Sequence, residues 1–188
     1  MKTAFAAVLL ASALYSQEPG KPGTRVDALP VADMNGQPAM VRTAGKITAV
    51  IFISAQCPVS NAYNERMQAL YEKYKDQVEF VFINSNATEP VSDVVRHARE
   101  HGFTFRVWRD PGNRAADLLN AQFTPETYVI DREGLLRYHG RIDDSRDVAG
   151  VKVQNFALAL DAVLAGKSVE APEVKAFGCS IKRGKAST

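Results

Sequence analysis

Cysteine is scarce in this chain: 188 residues carry only two, Cys57 and Cys179. Two thiols are too few for the disulfide scaffold that stabilises many small secreted proteins. No Cys-x-x-Cys pair exists, since Cys57-Pro58-Val59 is followed by Ser60, so exchange through a local dithiol is excluded. Charge of one sign is also missing. Lys and Arg number 23 against 21 Asp and Glu, a formal net charge of +2, which gives no reason to expect nucleic acid or an acidic surface as partner. Beyond the first residues no apolar run is long enough to cross a membrane. Internal repeats and low-complexity tracts are absent. A chain of this length has room for one domain with a sizeable core.

At the N-terminus Lys2 precedes an apolar run from Ala4 to Leu14, and Ala11-Ser12-Ala13 offers a small-residue cleavage site. This is the pattern of a secretory signal, expected over residues 1–16. Residues 17–26, with Glu18-Pro19-Gly20-Lys21-Pro22-Gly23, have the composition of a linker, and the folded domain is expected over 27–188. Export places the protein in the periplasm or outside the cell, with no membrane association once the signal is removed. In such an oxidising compartment the two cysteines could form one structural bridge or a redox pair.

Thr48 to Ile53 is an apolar, β-branched run, as expected of a strand buried on both faces. Ser60 to Tyr74 carries Tyr63, Met67, Leu70, Tyr71 and Tyr74 at helical spacing. Cys57 therefore falls between a strand and a helix. Unpaired N–H groups and the positive end of a helix dipole favour a thiolate at such a position, and Pro58 suits the first helical position. Ser60 is expected to donate a hydrogen bond to the sulfur.

Further along, Val78 to Ile83 reads as a second buried strand, and Ser92 to His101 as a helix with Val91, Val94, Val95 and Ala98 on its apolar face. Phe103 to Trp108 reads as a short strand, and Arg114 to Leu119 as a brief helix. Thr127 to Ile130 and Leu135 to His139 form a hairpin, and Gln154 to Ala165 the last helix, closed by Gly166. Asp27 to Val41 suggests an N-terminal hairpin turning at Asn35-Gly36. The order β-α-β-α-β, then a hairpin and a helix, predicts an α/β thioredoxin-like fold, a mixed central sheet flanked by helices. Thr124-Pro125 falls where such folds place a cis-proline facing the active cysteine, with the Thr124 backbone free to hold a substrate.

The tail after Gly166 holds Gly178-Cys179-Ser180 and reads as mobile. A sulfenic acid on Cys57 could be captured by Cys179 as a disulfide, within the chain or from a second copy in a homodimer. A permanent Cys57–Cys179 bridge, serving a non-catalytic binding domain, is the alternative. A metal–thiolate carrier pairing Cys57 with a histidine is a third reading. His97 and His101, four apart on a helix, lack a third ligand and read as a solvated face, so no metal or other cofactor is expected.

Three blocks resemble the peroxiredoxin-like branch of the thioredoxin superfamily, related to alkyl hydroperoxide reductases and thiol-specific antioxidant proteins. They are Phe52 to Ser60, Thr124 to Asp131, and Tyr138 to Arg146, joined by a fourth at Gly178 to Lys182. The resemblance implies a thiol oxidoreductase acting on peroxides or disulfides, reduced by an external thiol. The peroxiredoxin spacing Pro-x-x-x-Thr-x-x-Cys occurs here as Val50, Ser54 and Cys57, so Ser54 keeps the hydroxyl and the proline is absent. The resemblance also implies an arginine holding thiolate and peroxide; Arg141 is the candidate, with Arg132 and Arg137 as rivals.

Overall fold

The run from Thr48 to Ile53 is buried at all six positions, and its neighbours explain why. In a computed structural model, which describes residues 18–184, it forms the central strand β3 of a seven-stranded sheet. The expected signal, residues 1–16, lies outside the described residues. Ahead of β3 come β1 (Ala28–Ala32) and β2 (Pro38–Arg42), an antiparallel hairpin. Its turn is closed by Gly36 at φ 81°, a left-handed conformation that glycine adopts without a steric penalty.

After β3 the chain forms α1 (Pro58–Asn61), α2 (Asn64–Tyr74), β4 (Glu79–Asn84), α3 (Val91–Glu100), β5 (Val107–Arg109) and α4 (Arg114–Leu118). There follow β6 (Phe123–Thr124), β7 (Glu126–Ile130), β8 (Leu136–Gly140), α5 (Asn155–Leu164) and β9 (Cys179–Ser180). The large sheet runs β2-β1-β5-β4-β3-β7-β8. β4 pairs parallel with both β3 and β5, and β7 runs antiparallel to β3 and β8.

Successive side chains of a strand point to opposite faces, and β3 feeds two cores. Ala49, Ile51 and Ile53 join Met67, Phe82, Phe156 and Leu160 on the face covered by α2, α3 and α5. Val50 and Phe52 join Leu119, Tyr128 and Ile130 on the other face, where Ala115 and Ala116 of α4 and Ile181 of the tail pack. Burying each such large side chain stabilises the fold by about 1.5–3 kcal/mol.

Several expected elements differ. The helix after Cys57 is broken at Ala62–Tyr63, because the Tyr63 amide bonds back to the Ser60 carbonyl at 2.9 Å, a tight i−3 link. The Tyr63 ring turns inward, and its hydroxyl donates to Asp143 and to the Ser145 carbonyl. Burial, then the neighbouring Asp143, raises the Tyr63 hydroxyl pKa.

Helix α3 presents a different face from the one expected. Val91 and Val95 are exposed while His97 is buried; its Nε2 lies 3.0 Å from Asn61 Oδ1 and 3.1 Å from Asn64 Nδ2. His97 is therefore not part of a solvated face, although His101 is exposed. Among the described residues no group of three or more His, Cys, Asp or Glu side chains is placed to hold a metal ion.

The tail is the largest departure from expectation. Rather than hanging free, it crosses the sheet end at which β3 finishes. The Val174 amide bonds to the His139 carbonyl, and the His139 amide to the Pro172 carbonyl. Farther on, β9 pairs antiparallel with β6, and Ile181 is buried in the second core. Residues 18–26, composed like a linker, run beside the start of β8: the Gly23 amide bonds to the Leu136 carbonyl at 2.7 Å and the Val26 amide to that of Gly134 at 2.8 Å.

Candidate redox site

Cys57 is the N-cap of α1, with Pro58 in the first turn. Its Sγ accepts from the Ser60 backbone amide at 3.3 Å, one of the N–H groups that a helix start leaves unpaired. The expected donor was the Ser60 hydroxyl. Instead that oxygen accepts from the Ser54 amide at 3.1 Å, tying strand end to helix start. Because α1 is one turn long, a single directed N–H, rather than a long helix dipole, serves the sulfur.

Ser54 also acts differently from expectation. Its hydroxyl donates to the Glu89 carboxylate and accepts from the amides of Cys57 (2.9 Å) and Gln56 (3.2 Å). It braces the cysteine's backbone and has no bond to the sulfur. Glu89, only 3% exposed, further accepts from the Ala55 amide at 2.9 Å and from Asn84 Nδ2 at 2.6 Å. The loop from Ser54 to Gln56 is thus wound on one buried carboxylate. Asn61 holds it from the other side through the Ala55 carbonyl at 3.0 Å.

The Thr124–Pro125 bond is cis, as predicted from its position. The Thr124 carbonyl oxygen lies 3.3 Å from Cys57 Sγ, so the expected juxtaposition of cysteine and proline turn is present, but the Thr124 backbone expected to be free is paired with Cys179. Glu126 organises that turn: its Oε2 accepts from the amides of Gln122 (2.6 Å) and Phe123 (2.7 Å). Its other oxygen meets His139 Nε2 at 2.6 Å.

Cys179 completes the group. It is bonded to Cys57 as a disulfide with a Cα–Cα separation of 5.9 Å, inside the usual span for such bridges. Cys57 is 3% exposed, whereas Cys179 is half-buried. Gly178 packs against the proline turn. A Cβ there would lie 2.7 Å from the Thr124 carbonyl carbon and 3.3 Å from the Pro125 nitrogen, so only glycine permits this approach.

Arg141 does not join the cluster. It follows β8, two strands away from β3, and its Nε donates to Asn155 Oδ1 at 2.9 Å. Arg137 pairs with Asp131 at the opposite end of β8, and Arg132 is exposed in the hairpin turn there. The guanidinium tied to the cysteine loop is that of Arg109, which donates to the Glu89 carbonyl at 2.9 Å and to Asn84 Oδ1. Sequence reasoning missed Glu89, Asn84 and Arg109. The one usable signal was Asn84-Ser85-Asn86, polar residues that close a buried strand and must find partners there.

Residues 26–139 match the model of the AhpC/TSA family. The chain belongs to that family. Thiol-disulfide oxidoreductase YkuV of Bacillus subtilis is 26% identical over 109 residues, 56% of this chain and 74% of that protein. An uncharacterized conserved protein from Geobacillus kaustophilus superposes with a TM-score of 0.79 at 27% identity, over 89% of this chain and 95% of its own. A hypothetical protein, SMc02350 from Sinorhizobium meliloti, gives 0.77 at 30% identity, over 88% and 96%. More distant solved structures, among them a thioredoxin-like protein in its oxidised form, share the fold. The α/β thioredoxin-like architecture expected from the element order is the one found.

Proposed function

We propose that this AhpC/TSA-family chain is an exported thiol oxidoreductase of peroxiredoxin-like type, in which Cys57 is the reacting thiol and Cys179 closes the cycle. The observation that carries the reading is the Cys57–Cys179 bond, set at the N-cap of α1 and against the cis Thr124–Pro125 turn. Similarity to a protein named for thiol–disulfide chemistry supports it, and the signal-like N-terminus supports export.

In the cycle the Cys57 thiolate attacks the distal oxygen of a hydroperoxide. The O–O bond breaks, Cys57 becomes a sulfenic acid, and an alcohol or water leaves with a proton from solvent. The Cys179 thiol then attacks that sulfur, forming the disulfide and releasing water. Two equivalents of an external thiol restore both cysteines and leave as their own disulfide. A disulfide substrate replaces the first step by exchange at the same sulfur.

The protein's part is to hold the sulfur in place. The Ser60 amide stabilises its negative charge, Ser54 and Glu89 fix the loop that carries it, and Thr124 and Pro125 bound the approach. Arg141, bonded to Asn155, is given no role in the cycle.

The test is the second-order rate of the reduced protein with hydrogen peroxide, with the product mapped by peptide mass spectrometry under non-reducing conditions. A rate far above that of a free thiol, ending in the Cys57–Cys179 bridge, is expected. A free-thiol rate would remove peroxide as the substrate and leave disulfide exchange or a static staple.

A further inference from the structure

We propose that residues 172–184 form a strap that stays seated after the Cys57–Cys179 bond is reduced, so that Cys57 serves small oxidants and is closed to polypeptide disulfides, with Gly178 as the residue that makes the fit. This rests on the reading of Cys57 as the reacting thiol and names the substrate class of that site.

The strap is fastened on both sides of Cys179 by bonds that do not involve sulfur. Upstream, the Val174 amide donates to the His139 carbonyl at 3.0 Å and the His139 amide to the Pro172 carbonyl at 2.9 Å, and Ala176 is buried. Phe177 stands against the Tyr63 ring, 6.4 Å between centroids. Downstream, the Ile181 amide bonds to the Gln122 carbonyl at 2.9 Å, and the Ala87 amide to the Lys182 carbonyl at 2.8 Å. The Lys182 amide reaches Asn86 Oδ1 at 2.8 Å, and the Gly184 amide reaches Asn113 Oδ1 at 3.0 Å. Ile181 fills the second core. Cutting the S–S bond releases one connection out of this series.

A polypeptide substrate would have to lay its own backbone along an edge to present a disulfide, since strand addition is how a sheet edge grips an extended segment. The edge beside Cys57 is β6, and β9 already occupies it, with Thr124 paired to Cys179 and Phe123 to Ser180. A hydroperoxide needs no such edge. Gly178 sets how closely the strap lies, because a side chain there meets the Thr124 backbone rather than a movable group.

Full-length Cys179→Ser leaves Cys57 as the sole thiol and keeps the strap's other bonds. Its reaction with N-ethylmaleimide is compared with that of a polymer-linked maleimide, each relative to the same protein in denaturant. The seated strap should favour the small reagent by about 100-fold, and adding Gly178→Ala should erase most of that preference. Equal reactivity with both reagents in Cys179→Ser would overturn the proposal. So would a Cys57 shut to both and opened to both by Gly178→Ala, since the strap would then exclude small molecules too. A Cys57 unreactive in every folded form would instead sink the reading beneath the proposal. Hydrogen exchange in the wild-type protein judges the strap independently, even if Gly178→Ala does not fold. Protection at the Val174, Ile181 and Lys182 amides should change by less than about tenfold on reduction, and its collapse would show that the strap leaves.

Discussion

Cys57 sits in a loop wound on a buried carboxylate, whereas Cys179 sits in a strand laid along an edge. On the first side, Glu89 gathers Ser54, Ala55 and Asn84 around one charge. On the second, the bonds flanking Cys179 are mostly neutral backbone links, with apolar Ile181 beyond them. In the proposed cycle the contrast separates two tasks. A reacting sulfur must be held by groups that tolerate a change in its charge, while the sulfur that meets it must only be brought near. The first side is sensitive to loss of a single polar atom, and the second spreads its hold over many contacts.

Cys57→Ser should have the largest effect. Reaction with peroxide should fall to the rate of an ordinary free thiol, since Cys179 remains, while the fold survives; stopped-flow kinetics with circular dichroism would check both. Reduction of the wild-type disulfide comes next. The oxidised protein should resist urea by about 2–4 kcal/mol more than the reduced one, because the bond closes a long loop, and paired denaturation curves measure this. Equal curves would mean that the bridge adds no hold beyond the strap's own bonds.

Glu89→Gln tests the carboxylate side. An amide nitrogen would face at least one donor, at a cost of about 1–3 kcal/mol from a buried polar group left without a partner. In contrast, Ser180→Ala on the strap should cost much less, since Ser180 is exposed. Comparable losses from the two would mean that the loop and the strap are held alike.

The mildest effect concerns His97, whose pKa is lowered by burial and, next, by the charge of His101. The unfolded chain therefore binds its proton more readily than the folded one. The contribution is harmless above the ordinary histidine value near 6.5 and destabilising as pH falls below it. His97→Gln should flatten the dependence of stability on pH between about 5 and 7, read from urea midpoints across that range.

The central strand, both hairpins and the Thr124-Pro125 turn were legible because each is written locally. β3 shows itself as an unbroken apolar run, and the turns as Asn35-Gly36 and Glu133-Gly134. Cys57 was legible for the same reason, through Pro58 and the helical spacing behind it. What escaped is nonlocal. Glu89 lies 35 residues beyond Ser54 in sequence, and nothing near it marks it as the loop's anchor. The inward turn of His97 depends on Asn61 and Asn64 from another helix. The strap was misread because a stretch rich in lysine and small residues resembles a free tail until the edge it covers is known. Arg141 was proposed through family resemblance, and its side chain is taken up by Asn155.

The separation of the two cysteines, 122 residues, also has a meaning in time. A ribosome adding roughly 5–20 residues per second delivers Cys57 about 6–24 s before Cys179. Thr124 follows Cys57 by 67 residues and precedes Cys179 by 55, so over the later part of that interval its edge has no β9 to cover it. For that span Cys57 stands open to the polypeptide disulfides that, on the proposal above, a seated strap turns away.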